Sequence, residues 1–339
     1  MGVTFIGCGA AAPETVVLND ALAQVVDTSD EWIASRTGIR QRHVSNDRES
    51  LADFATEAAN QALAMAGVAA TDVDLIILAT SSAEDLFGTA CQIQGQLGAT
   101  NAVAFDLTAA CSGFVFGVVT AAQFLRSGVY RNVLVIGADL LSRWVDWNDR
   151  NTCVLFGDGA GAVLMQATEN TDRLLGFEIR SDGSQNCCLN LGFKPELREL
   201  IPGVILTQGK YQYITMNGKE VYRFAINRVP DAIDKVIHQA NLTSDDIDWL
   251  ILHQANQRIM DAVAERLHIP AEKVVSNVAK YGNTSAASIP IALNEAVRSG
   301  KIQSGDTIAT SGFGAGLSWG AAIFKWGSFS EQWIVNSEQ

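Results

Sequence analysis

The chain has 339 residues, 48% of them hydrophobic and only 18% charged, with a net charge of −13. A charged fraction below the roughly 25% of an average soluble domain excludes intrinsic disorder, and the length predicts about two domains. The acidic balance argues against general nucleic-acid binding but leaves room for a local basic patch.

Residues Met1 to Ile6 carry no basic region and no cleavage pattern, and Ile6 fails the myristoylation pattern. Ser50 followed by Asp53 predicts a capped helix from Leu51. Leu75–Ala79, an apolar run without alternation, reads as a strand buried on both faces. Leu107 to Leu125 is uncharged, yet Thr108, Cys111, Ser112, Thr120 and Gln123 interrupt it. That predicts a buried helix in a large core and no membrane span. Val133–Ile136 is a second buried strand. Residues 183–213, rich in Gly and Asn, read as loops and short strands. Trp249–Leu252 and Thr307–Thr310 add further strands. A helix is predicted over Gln257–Leu267, with Ile259, Val263 and Leu267 inward and Arg258, Asp261 and Arg266 outward.

An internal repeat organises these elements. Gly67 through Leu78 recurs as Asn241 through Leu252, an offset of 174 positions. The same offset sets Ala110-Cys111 against Thr284-Ser285. Two copies predict a duplicated α/β domain with halves over residues 1–170 and 171–339.

Several residues are candidates for chemistry. The six cysteines include no C-x-x-C pair, which excludes a zinc ribbon and suits a reducing compartment. Cys111 opens a helix, where the macrodipole favours thiolate; a buried structural cysteine is the alternative. Among the four histidines, His43 sits in a polar segment and His238 and His268 have charged neighbours. His253 directly follows a buried strand, where sites on α/β sheets gather; a hydrogen-bonded core histidine is the alternative. Asn283 is either a helix cap or the partner of Cys111 across a pseudo-dyad. The glycine-rich stretches Phe156–Gly161 and Gly312–Gly316 either present backbone N–H groups to an oxyanion or allow tight packing.

Ala109-Ala110-Cys111-Ser112-Gly113, His253-Gln254-Ala255-Asn256 and Gly282-Asn283-Thr284-Ser285-Ala286-Ala287-Ser288 resemble the three active-site motifs of β-ketoacyl-acyl carrier protein synthase III. Ser29 through Ile39 resembles that family's N-terminal signature, and both glycine-rich stretches match. An asparagine as third catalytic residue separates the family from elongating condensing enzymes. The resemblance implies a thiolase-like fold, two α/β halves in a five-layer α-β-α-β-α arrangement. It implies an acyltransferase that starts type II fatty acid synthesis. Cys111 takes the acyl group of an acyl-CoA primer, acetyl-CoA foremost. His253 and Asn283 then stabilise the enolate formed when malonyl-acyl carrier protein loses carbon dioxide. No metal or redox cofactor is implied.

By the same resemblance, backbone N–H groups at Cys111, Phe313, Gly314, Ala315 and Gly316 hold the oxyanion. Thr28, Trp32, Arg36, Arg150, Gly218, Tyr222 and Asn256 line the coenzyme A channel. Arg223, Arg258 and Arg266 receive the acidic carrier protein, although Glu265 interrupts the family's basic pair. Leu86, Phe87, Leu141 and Phe156 form the acyl pocket, with Leu86 where relatives place a partner-subunit Phe. Ala315 stands where many relatives have Gly. The resemblance also implies a homodimer in the bacterial cytoplasm, a plastid location being the alternative. Three competing readings are an acyltransferase of secondary metabolism, a Cys-His-Asn hydrolase and a dinucleotide-binding module.

Overall fold

A computed structural model of the chain describes residues 1–169 and 171–327. The expected boundary at residue 170 and the segment 328–339 lie outside the described residues. Among these residues, the elements that matter are, in chain order, β1 (Gly2–Ala11), α1 (Asp30–Thr37), α2 (Leu51–Ala66), β2 (Leu75–Ala79), α3 (Ala90–Leu97), β3 (Val103–Leu107), α4 (Gly113–Arg126), β4 (Asn132–Leu140), β5 (Asp158–Thr168), β6 (Leu174–Ser181), β7 (Phe193–Ile201), β8 (Val204–Tyr211), α5 (Gly218–Gln239), β9 (Trp249–Leu252), α6 (Gln257–Arg266), α7 (Ser288–Arg298), β10 (Thr307–Gly314) and β11 (Ser318–Lys325).

Two mixed sheets share one design. The first runs β1-β5-β4-β2-β3 and the second β6-β11-β10-β9. In each, the first two contacts are antiparallel and the inner contact is parallel. The first sheet ends on β3, parallel to β2; a parallel bridge from Leu250 to Val274 holds the corresponding place in the second. Strands β2 and β4 are buried along their whole length, as their unbroken apolar runs predict. Each fully buried Leu, Ile or Val there contributes about 1.5–3 kcal/mol.

Helices α2 and α3 cover the outer face of the first sheet, and α5 and α6 that of the second. Helices α4 and α7 fill the space between the sheets. This is the five-layer α-β-α-β-α arrangement that the resemblance implies. Helix stops are duplicated too. Gly67 and Asn241, Gly98 and His268, and Gly128 and Gly300 occupy left-handed φ just beyond α2 and α5, α3 and α6, and α4 and α7. His268 is therefore an exposed helix terminator, and Ser50 with Asp53 forms the expected capping box.

Local departures are small. The predicted helix at Cys111 begins at Gly113, after a short turn over Ala110–Ser112. Residues 193–211 form a long exposed hairpin where loops and short strands were expected. Its strand alternation puts Phe193, Leu197, Ile205 and Tyr211 on one face and Lys194, Arg198 and Lys210 on the other. Tight packing, not an anion cradle, accounts for Phe156–Gly161. A Cβ at Gly157 would lie 2.3 Å from the Tyr281 carbonyl, and one at Gly161 2.8 Å from the Ile291 nitrogen.

The same constraint operates at Gly137 in β4, where a Cβ would stand 2.1 Å from the Ala286 carbonyl just before α7. Gly137→Ala is expected to cost stability at or above the upper end of about 1–3 kcal/mol. Urea unfolding of the two proteins measures this, and a negligible loss would mean that the start of α7 is free to shift.

Candidate active site

Strand β3 leads through Thr108 and Ala109 into the turn that carries Cys111. Ala110 sits at φ 47, a conformation uncommon for any residue but glycine. The other half repeats the feature: Ser285 sits at φ 51 in the turn Ser285–Ala287, just before α7. The two turns match at an offset of 175, one more than the sequence repeat suggested. Ala110 therefore corresponds to Ser285, and Cys111 to Ala286. They do meet as the pseudo-dyad predicts, since the Ser285 hydroxyl donates to Cys111 Sγ at 3.3 Å.

The end of β10 presses on the Cys111 turn. A Cβ at Gly312 would fall 2.9 Å from the Cys111 carbonyl oxygen, and one at Gly314 2.8 Å from its nitrogen. Both glycines are needed for that approach. Cys111 is buried, and burial pushes its thiol up to about 12. The Ser285 hydrogen bond lowers it and the Asp139 carboxylate raises it by smaller amounts. Burial thus favours the thiol, in the direction opposite to the thiolate that helix position alone suggested.

His253 follows β9 and is fully enclosed; its backbone N–H donates to the Ser311 carbonyl at 2.8 Å. Burial lowers its imidazole from 6.5 to about 3, so the ring is neutral. Ser288 Oγ accepts from the Gln254 amide at 3.3 Å and lies 2.7 Å from His253 Nδ1. Among the described residues no other acceptor takes the Ser288 hydrogen. It therefore goes to Nδ1, and the imidazole proton sits on Nε2. Phe313 packs edge-on against the ring at 5.3 Å. Asn283 Oδ1 accepts from the Ser285 amide at 2.9 Å, which anchors that end and leaves Nδ2 to donate.

These three side chains share one cleft of about 840 Å³ with Phe313, Gly314 and Phe156. Its outer wall carries Trp32, Arg36, Arg150, Gly218, Tyr222 and Asn256, so six of the seven expected coenzyme A residues line it. Arg36 and Arg150 stand 4.6 and 5.3 Å from the centre of the Trp32 ring. Asn256 caps α6 and donates to the Arg36 carbonyl at 3.0 Å, which ties α1 to the cleft. Thr28 is outside the lining set, although its buried hydroxyl has no hydrogen-bond partner among the described residues. Lys219 adds a cation that the sequence reading passed over.

Other expected residues lie elsewhere. Ala315 and Gly316 line a second cavity of about 1460 Å³, together with Leu86 and Phe87. Leu86 and Phe87 are 86% and 97% exposed, so in a single chain they close nothing. Leu141 is buried in the core of the second half. Arg258 lines the cleft beside Tyr222, whereas Arg223 pairs with Glu220 at 3.2 Å. Arg266 is occupied by the Ile226 and Asn227 carbonyls, each at 3.1 Å, and by Asp231. Ser285, Ser288 and Asp139 were missed as functional groups. The two serines stand inside a quoted motif, and Asp139 is a lone acid at the end of an apolar strand.

Comparison with known proteins places this site in context. The family described as 3-oxoacyl-[acyl-carrier-protein (ACP)] synthase III matches residues 105–183, and its C-terminal counterpart matches residues 237–326. The chain is 65% identical to the beta-ketoacyl-[acyl-carrier-protein] synthase III of Trichormus variabilis, over 96% of this chain and 99% of the relative. It is 66% identical to the same enzyme of a Nostoc species over the same shares. The crystal structure of 3-oxoacyl-[acyl-carrier-protein] synthase III from Aquifex aeolicus superposes with a TM-score of 0.87 at 44% identity, covering 96% of this chain and 100% of that one. The hydrolase and dinucleotide-binding readings fall with these similarities.

The neutral state of His253 has a testable consequence. Its pKa is depressed on folding, so its contribution to stability is present above pH 6.5 and is lost as pH falls towards 3. From pH 6.5 to about pH 5 the protein is expected to lose about 2 kcal/mol through this residue. Urea unfolding at both pH values should show a smaller loss in His253→Gln; equal losses would mean that the imidazole is not held neutral.

Proposed function

This chain belongs to the β-ketoacyl-[acyl-carrier-protein] synthase III family, and from that premise we infer how one cleft divides the reaction among three side chains. The enzyme starts fatty acid synthesis by condensing an acyl-CoA with malonyl-acyl carrier protein. In our reading acetyl-CoA is the primer, and Cys111 attacks its thioester carbonyl to form an acyl-enzyme and release coenzyme A. Malonyl-acyl carrier protein then enters the same cleft. His253 Nε2–H and Asn283 Nδ2–H both donate to its thioester carbonyl. Loss of carbon dioxide puts negative charge on that oxygen, and two fixed donors in a dry site stabilise it. The carbanion attacks the acyl group on Cys111, and the product leaves as a 3-oxoacyl carrier protein. Backbone N–H groups at Cys111 and Gly314 hold the tetrahedral oxyanion. Charge is met by hydrogen bonds at each step, so the scheme uses no metal or redox cofactor.

One observation carries this reading: a single cleft joins a thiol and two neutral N–H donors to a rim of four cations. Arg36, Arg150, Lys219 and Arg258 make that rim positive on a chain of net charge −13. It suits the phosphates of coenzyme A, with Trp32 placed to stack on the adenine. Arg258 and Arg223 are exposed beside it and are our choice for carrier-protein contact. Arg266 supports them by fastening α6 to α5.

We place the chain in a homodimer. The edge of β3 is unpaired among the described residues, Val103 on it is half exposed, and Leu86 and Phe87 project beside it. An apolar edge of this kind invites strand pairing with a second copy, which would bring those side chains to the partner's acyl pocket. Six cysteines, all unpaired, suit a cytoplasmic location.

Intact-protein mass after incubation with acetyl-CoA tests the scheme. Cys111→Ala is expected to take no acetyl group. His253→Ala and Asn283→Ala should still be acetylated while losing condensation by about 10²-fold or more. If either of the latter lost acetylation but kept malonyl decarboxylation, the roles would be reversed. Phe87→Glu is expected to sediment as a monomer, and an unchanged dimer would place the contact elsewhere.

A further inference from the structure

Helix α7 begins at the buried centre, and two of its side chains reach the two donors of the scheme by different routes. Ser288, its first residue, is enclosed and meets His253 Nδ1 at 2.7 Å. Glu295 lies seven residues on, about two turns along the same face. Its Oε1 accepts from the Tyr281 hydroxyl at 2.9 Å and the Lys280 ammonium at 2.7 Å, and its Oε2 from the Asn277 side-chain amide at 2.9 Å. All three donors belong to the segment that leads into Gly282-Asn283, and neither they nor Glu295 line the cleft. The bonds close on themselves. The Asn277 backbone N–H donates to the Gln254 side-chain carbonyl at 2.9 Å, and the Gln254 backbone N–H donates to Ser288 Oγ at 3.3 Å. One path therefore runs from His253 through Ser288 and α7 to Glu295, on to Asn277, and back to Gln254 beside His253. A branch through Tyr281 ends two residues before Asn283.

We propose that α7 sets the two enolate donors in register, with Ser288 positioning the His253 imidazole and Glu295 positioning the segment that carries Asn283. The inference rests on the reading of His253 and Asn283 as donors to the malonyl thioester carbonyl. Two N–H groups stabilise one oxygen only if both point at the same place when charge appears on it. They come from separate segments, one after β9 and one after the short helix Val278–Tyr281. A single rigid helix bonded to both gives them a common frame. Ser288 and Glu295 touch neither substrate nor sulfur in this assignment; each acts through the donor it holds.

The surroundings fit this task. Ser288 is the hydrogen-bond partner of Nδ1 among the described residues. Without its hydroxyl the imidazole proton is free to sit on either nitrogen, and only the Nε2 form offers an N–H to substrate. The Asn283 backbone is held on its far side, where its N–H donates to the Leu155 carbonyl at 2.9 Å and its carbonyl accepts from the Gly157 amide at 3.0 Å. Glu295 fixes the approach to it, and the Tyr281 ring stacks on His43 at 5.0 Å. Burial would raise the half-buried Glu295 acid, but the bonds from Lys280, Asn277 and Tyr281 prevail and hold it below the usual carboxylate range. An ionised acceptor makes each of those bonds stronger than a neutral one would. Gln254 is itself anchored, donating to the Leu252 and Val275 carbonyls at 2.7 and 3.3 Å.

Two assays separate the donors from the nucleophile: decarboxylation of malonyl-acyl carrier protein in a Cys111→Ala background, and acetylation by acetyl-CoA with Cys111 present. S288A and E295Q are each expected to lower the kcat for decarboxylation about 10-fold with little change in KM, and to slow acetylation far less. E295Q keeps the length of the side chain but leaves an acceptor on only one of its two arms. Y281F removes one donor and keeps the ring, so it should move kcat in the same direction, and it decides for Glu295 if E295Q does not fold. In protein carrying isotope-labelled histidine, the ring nitrogens of His253, assigned from His253→Gln, should report the Nε2–H tautomer by nuclear magnetic resonance. S288A should mix the two tautomers. Wild-type kcat in S288A, or in both E295Q and Y281F, would overturn the proposal, as would equal losses of acetylation and decarboxylation. Full decarboxylation in His253→Ala and Asn283→Ala would refute the functional reading instead, and the tautomer in S288A would still decide whether Ser288 positions the ring.

Discussion

Two left-handed turns packed against each other between the sheets fix the position of every reacting atom. Ala110 at φ 47 and Ser285 at φ 51 each reverse the chain before a helix that lies between the sheets. Neither conformation is favourable for a side-chain-bearing residue, and each persists only because its surroundings leave no room to relax. Gly137 lets β4 approach the second turn, and Gly312 and Gly314 let β10 approach the first. Remove any of these close contacts and the sulfur, the imidazole and the amide lose their common reference.

That packing also sets the electrostatics. Excluding water from the centre raises the cost of every ion there. The thiol and the imidazole respond by staying neutral, shifted in opposite directions by the same burial. A neutral imidazole is the useful form for this chemistry. In the proposed scheme it would donate through Nε2 without bringing a charge that would bind the malonyl carboxylate and hold it in place. The dry site also makes each donated hydrogen bond stronger against the charge that appears when carbon dioxide leaves. Cations are kept at the rim, where water still screens them and a phosphate can reach them.

Much of this was legible in the sequence because buried strands and helix ends carry strong local signals. Leu75–Ala79 and Trp249–Leu252 announce themselves as unbroken apolar runs, and Ser50 with Asp53 as a cap. The Cys111, His253 and Asn283 motifs could be read directly, and the cleft joins them as expected. What local sequence could not supply was dehydration. The helix-start argument for Cys111 sees one dipole and misses the layers on either side, whose burial of the thiol acts in the opposite direction. Hairpin 193–211 escaped for a related reason: its side chains lack a core contact that would impose a clear pattern. Arg266 was read as facing outward towards a carrier protein because its partners, the Ile226 and Asn227 carbonyls, sit about forty residues away.

The one-residue slip between the sequence repeat and the structural repeat explains how a duplicated scaffold acquired unequal ends. With Ala110 matched to Ser285, the left-handed position holds a methyl group in one half and a hydroxyl in the other. The hydroxyl reaches across the pseudo-dyad to the sulfur of the opposite half. The residue matched to Cys111 is Ala286, whose amide instead bonds Asp139 from the first sheet. Each half thus completes the other: the first supplies the Cys111 thiol and the Asp139 carboxylate, the second the Ser285 hydroxyl, the imidazole and the amide. Neither half alone could hold this centre, since the close approaches of Gly137 to Ala286 and of Gly312 and Gly314 to Cys111 cross from one half to the other.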